Sequence, residues 1–186
     1  MYNGLNKLGI ICRKGDDFII LLAIDPSISS SGYCIIKDNE LIKYGKVSTN
    51  KKDFKSEDDR LNHISNIFSK IANEYKVDEV IMESQFIGGN AKTGMVLKKL
   101  IGALCRTFKD IPHVSYVLPS QWRKSLLHKN KAVKKEDVVE YIRNNIIDLG
   151  ELKSTGVKKN EDIYESIGVA YGYLNDRENI IKNNLY

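Results

Sequence analysis

Cysteine, histidine and long apolar runs are all scarce in this chain, and each scarcity closes off a class of protein. Three cysteines among 186 residues, Cys12, Cys34 and Cys105, are odd in number, widely spaced and without a C-x-x-C pair. Neither a disulfide framework nor a thiolate zinc site is indicated, and they read as reduced core residues of a cytoplasmic protein. His63, His113 and His128 show no H-E-x-x-H or H-x-x-x-H spacing, which leaves oxygen ligands to hold any metal. The apolar run FIILLAI at 18–24 is far short of the roughly 20 residues that span a bilayer, so no membrane span is expected. Residues 1–17 lack the sustained apolar core and small-residue cleavage site of a secretory signal and read as an N-terminal extension. There is no internal repeat and no low-complexity tract.

What is present is enough chain, residues 18–186, for one α/β domain with a real core, and a formal net charge of +5 that suits a nucleic-acid partner without demanding one. FIILLAID at 18–25 is a strand-length apolar run, as expected of a strand buried on both faces. SGYCIIKD at 31–38 and ELIKYGKVS at 40–48 follow as β-prone runs around a polar turn, giving three antiparallel strands. Apolar residues three and four apart predict a helix over 56–76, with Ser56 and Asp59 as a capping pair. DEVIMES at 78–84 is a further buried strand, followed by a helix over 90–108 and a fifth strand at 113–119. Residues 120–147 read as two helices split by Lys129-Asn130-Lys131, and a Gly-containing connection at 149–159 leads to a last helix over 161–174. The fold class is therefore α/β: a five-stranded mixed sheet, three antiparallel strands then helix-linked parallel ones, flanked by helices.

Acidic residues fall at chemically meaningful places on this framework. Asp25 closes an apolar strand just before a Pro-Ser break; an aspartate there is also a common turn or helix cap. Glu83 ends a second apolar strand that chain order allows beside the first. A nearly buried carboxylate asks for a cation, a salt-bridge partner or solvent. Asp162 and Glu165 stand three apart, on one face of the last helix, where helix capping is an equal alternative. Together the four form the hard oxygen set that Mg²⁺ or Mn²⁺ prefers, and two such ions suit phosphodiester hydrolysis.

Four ordered blocks, AIDPSISSSGY, IMESQFIGGNAKTGMVLKKLIGAL, LPSQWRKSLL with KKEDVVEYI, and NEDIYESIGVA, resemble the RuvC family of Holliday junction resolvases over about residues 18–174. The resemblance implies a ribonuclease H-like fold in which Asp25, Glu83, Asp162 and Glu165 are the catalytic acids holding two Mg²⁺ ions per site, with Mn²⁺ as a substitute. It implies that Phe86 stacks on a base of the opened junction, and that Arg123 and Lys134 or Lys135 contact the phosphate. The implied enzyme is a crossover junction endodeoxyribonuclease, a homodimer that makes paired nicks in a four-way DNA junction and leaves 5′-phosphates, without a nucleotide cofactor. The helix over 90–108 matches the family's dimerising part, so Met95, Leu97 and Leu100 are candidates for that interface or for the core.

Three departures, Ser27 where the family has glycine, Glu165 where it has aspartate, and the N-terminal extension, suggest a divergent branch such as the phage-type resolvases. Such an enzyme would work in the cytoplasm of a bacterium, or of the host cell if phage-encoded. The same acids would serve a nuclease acting on structured RNA. A chain that no longer assembled them would be a non-catalytic junction-binding protein. An actin-like ATPase or sugar kinase would need a second lobe and glycine-rich phosphate loops that this sequence lacks.

Overall fold

The computed structural model describes residues 18–84, 91–150 and 160–183. Strands β1 (Ile20–Asp25), β2 (Ser30–Lys37) and β3 (Glu40–Ser48) form an antiparallel meander. The β2–β3 hairpin turns through Asp38 and Asn39, both at positive φ, the two-residue turn whose twist matches the strands it joins. Helix α1 (Glu57–Tyr75) starts at Ser56, whose hydroxyl accepts from the Asp59 amide, and ends at Lys76 in the left-handed region. Strand β4 (Glu79–Glu83) then lies parallel to β1, helix α2 (Ala91–Thr107) follows the segment 85–90, and β5 (His113–Val117) lies parallel to β4. The sheet order is β3-β2-β1-β4-β5, the mixed topology expected from the sequence.

The remaining described helices cover one face of that sheet. Helix α3 (Pro119–Leu127) begins two residues after β5, because Pro119 presets the helical φ at its first turn; the fifth strand is therefore shorter than the 113–119 expected. Helices α4 (Lys135–Asn145), α5 (Glu161–Asn175) and α6 (Arg177–Asn183) complete the chain.

Period-two alternation divides the sheet's side chains between two cores. Leu22, Ile24, Ile35, Val80 and Met82 pack with Ile64 and Phe68 of α1 and Leu100 and Leu104 of α2. Leu21, Ala23, Cys34 and Ile81 pack with Trp122, Val138, Ile142 and α5. Helix α5 is buried at every position from Ile163 to Tyr173, as befits a helix enclosed by sheet and neighbouring helices. It fits because it is lean: a Cβ at Gly168 would lie 2.6 Å from the Trp122 ring, and one at Gly172 would lie 2.4 Å from the Trp122 carbonyl oxygen. Cys34 and Cys105 are unbridged, and Cys12 lies outside the described residues. Among the described residues no helix is long and apolar enough to cross a membrane.

Candidate metal and active site

The same alternation that builds the second core aims two acids. Asp25 shares the face of Leu21 and Ala23, and Glu83 that of Ile81, so both carboxylates look toward α5. The parallel register Ile24↔Met82 sets the two strand ends level. Gly32 lies opposite Asp25 in the antiparallel pair, and a Cβ there would come within 1.8 Å of the Asp162 carbonyl oxygen. That missing side chain lets the first turn of α5 settle onto the sheet beside Asp25. One turn further on, Glu165 joins the same cluster.

Four carboxylates thus share one electrostatic neighbourhood. Burial pushes the Asp25 carboxyl well above its usual range, and Glu83, Glu165 and Asp162 push it further while Lys135 opposes them. Glu83 is also raised, first by burial and then by Glu165; a hydrogen bond from Trp122 and the charges of Arg123 and Lys135 pull the other way. Asp25 and Glu83 are only 5% and 3% exposed, yet no described residue donates a hydrogen bond to the Asp25 carboxylate. Hard carboxylate oxygens gathered in so sheltered a place are chemically a candidate cation site.

As placed, the acids are held by the chain's own donors. Arg123 Nη2 lies 3.0 Å from Glu165 Oε1, and Lys135 Nζ lies 2.9 Å from Glu165 Oε2 and 3.5 Å from Glu161 Oε1. Burial works against the Lys135 charge, but Glu165, Glu161 and Asp25 outweigh it and keep the ammonium above its ordinary pKa. Trp122 Nε1 donates to Glu83 Oε2 at 2.7 Å. Among the described residues no three acids, histidines or cysteines converge closely enough to share an ion in this arrangement. Glu165 would have to turn from Arg123 and Lys135 toward a cation.

Of the two lysines expected near the site, Lys135 reaches it; Lys134 is exposed and caps α4, its amide facing Asp137. Arg123 stacks over Trp122, 5.0 Å from the ring, and its Nε is buried without a hydrogen-bond partner. Phe86, Lys158 and Lys159 lie outside the described residues. Leu100, a candidate for the dimer interface, is fully buried in the core, whereas Met95 is 63% exposed on α2. Ser27 needs no positive φ: its amide and carbonyl both bond the Ser31 hydroxyl, closing by side chain the turn where glycine was expected. Trp122 was missed as a site residue, since a tryptophan beside apolar residues reads simply as core.

Fold and carboxylate cluster together define the class as a ribonuclease H-like nuclease. The sequence profile of crossover junction endodeoxyribonuclease RuvC matches residues 21–170. Crossover junction endodeoxyribonuclease RuvC of Ehrlichia ruminantium (strain Gardel) is 33% identical over 163 residues, covering 83% of this chain and 95% of the relative. The structure of T. thermophilus RuvC in complex with Holliday junction substrate superposes with a TM-score of 0.68 at 16% identity, over 86% of this chain and 95% of that one. A Fowlpox virus resolvase bound to substrate Holliday junction DNA superposes at 0.54 with 17% identity, over 86% and 99%. The chain belongs to the RuvC family of crossover junction endodeoxyribonucleases.

Proposed function

We propose that residues 18–186 form one nuclease domain that resolves four-way DNA junctions by paired nicks, leaving 5′-phosphates, with one active site in each subunit of a homodimer. The observation that carries this reading is the burial of Asp25 and Glu83 at level strand ends beneath an α5 that brings Asp162 and Glu165 to them.

Those four residues would hold two divalent cations, Mg²⁺ or in its place Mn²⁺, which when bound neutralise charge on the scissile phosphodiester and activate water. The donor set fits, being all carboxylate and mostly sheltered from solvent. Arg123 and Lys135, released when Glu165 turns inward, would bind the phosphate; the unpartnered Nε of Arg123 is already a spare donor. Beside the end of β1 a cavity of about 690 Å³, lined by Pro26, Ser27, Lys51, Lys55, Arg60 and Lys92 among others, offers a basic path for a flanking strand. Phe86 would stack on an unpaired base of the opened junction, a contact worth about 1–3 kcal/mol. A twofold junction suits two copies of the chain, and Met95 on α2 is the exposed apolar anchor for that pairing.

The test is cleavage of a labelled immobile four-way junction and a matched duplex in Mg²⁺, with Asp25→Asn beside the parent. Symmetric nicks in the junction alone, made by the parent alone and religated without phosphorylation, support the proposal. An intact junction in every reaction contradicts it.

A further inference from the structure

We propose that Trp122 is a positioning residue for Glu83, its indole N–H fixing the orientation of the carboxylate that the chain offers to a divalent cation. The inference rests on the cation-site reading above and names a residue outside the acid set. Trp122 is fully buried, and its Nε1 lies 2.7 Å from Glu83 Oε2, within the short range of hydrogen bonds to charged acceptors. No other described residue donates to that carboxylate, so one oxygen is anchored and Oε1 is left for a cation.

The donor's chemistry suits the task. Indole N–H donates only, carries no charge and gives up no proton at ordinary pH. It orients Glu83 without neutralising it, whereas Arg123 and Lys135 neutralise Glu165. An arginine at position 122 would compete with the cation; an apolar side chain would leave a buried carboxylate free to rotate.

The ring itself is immobilised by the helix that carries the other acids. Gly168 and Gly172 lie three and seven residues beyond Glu165, on the same side of α5, and both abut Trp122. A Cβ at Gly168 would enter the indole, so ring and α5 have one relative placement. The α5 backbone therefore sets Asp162 and Glu165 directly and Glu83 through Trp122, coupling acids from a helix and a strand far apart in sequence. A purely structural Trp122 would need none of this: its N–H could end on any carbonyl.

Trp122 is the chain's sole tryptophan, so analogue incorporation and spectroscopy are site-specific without mutagenesis. Growth of a tryptophan auxotroph on benzothienylalanine puts sulfur in place of the N–H and retains the bicyclic shape. Mn²⁺ binding followed by electron paramagnetic resonance is expected to weaken about 10–100-fold, the usual cost of losing a partner of a metal-ligating group, while cooperative unfolding persists. In parallel, the single indole cross-peak of ¹⁵N-tryptophan protein should move in Glu83→Gln, and should move on Mg²⁺ addition in the parent but not in Asp162→Asn. Parental Mn²⁺ affinity in the analogue, or a cross-peak indifferent to Glu83→Gln, overturns the assignment while leaving the cation site standing. Absence of Mn²⁺ binding by the parent overturns both.

Discussion

Burying Asp25 among Glu83, Glu165 and Asp162 is costly without a cation, and the cost has a pH signature. Burial first, then the neighbouring carboxylates, raises the Asp25 and Glu83 pKa values, so the folded chain binds these protons more tightly than the unfolded chain does. Their contribution to metal-free stability is fully present below the unfolded carboxylate pKa, about 4, and is lost as pH rises through the raised folded values. Asp25→Asn should therefore stabilise the metal-free protein at neutral pH by about 0.5–2 kcal/mol, while slowing cleavage by two orders of magnitude or more. Thermal melts across pH check this: the gap between variant and parent should close in acid, and a less stable variant at neutral pH would contradict it. At this scale the sequence was readable where periodicity governs direction. Apolar strands that close on a single acid marked Asp25 and Glu83, and i, i+3 spacing put Asp162 and Glu165 on one helix face. It could not choose between Lys134 and Lys135, because one residue at a helix start decides which side chain turns inward. Nor could it show Trp122 facing Glu83, since that contact depends on how α3 packs under α5.

Helix α5 reaches the sheet because particular residues are small. Gly32→Ala would drive a methyl into the Asp162 carbonyl, so the first turn of α5 must lift away from Asp25. The expected result is a loss of about 1–3 kcal/mol from overpacking together with an activity loss larger than the lost stability explains, measured as cleavage rate beside thermal melts. At the opposite end of β4 a different contact holds the chain's last helix. Glu79, 1% exposed, accepts from Arg177 at 2.9, 3.1 and 3.2 Å and from the Tyr173 hydroxyl. Arg177→Met should cost about 3–5 kcal/mol by leaving that carboxylate buried and unpaired, with the cation site unchanged in the folded fraction. Denaturant unfolding measures the first expectation and Mn²⁺ titration the second. This element was illegible in the sequence: α6 is short, and what fixes it is an ion pair spanning 98 positions. The strand count and the antiparallel start of the sheet were legible because apolar run lengths and the hairpin turn are local properties, whereas the order of the parallel strands depends on pairings between distant segments.

Across the whole molecule, a formal charge of +5 is modest for a DNA-binding protein, so affinity should depend on where the cations lie. Arg123 and Lys135 lie beside the acids, and Lys51, Lys55 and Lys92 line a separate cavity next to the segment that follows β1. Arg123→Ala and Lys135→Ala should each reduce the slope of log affinity for a four-way junction against log salt by about one unit, and a slope unaltered in both would remove them from the phosphate contacts. We propose that two strands and one helix assemble a divalent-cation site. The most direct test is the stoichiometry of Mn²⁺ binding by electron paramagnetic resonance in the parent, Asp25→Asn and Glu165→Gln. Two ions per subunit in the parent, with binding lost or reduced to one in each variant, is the result predicted. Equal binding by all three proteins, or none by the parent, would contradict it.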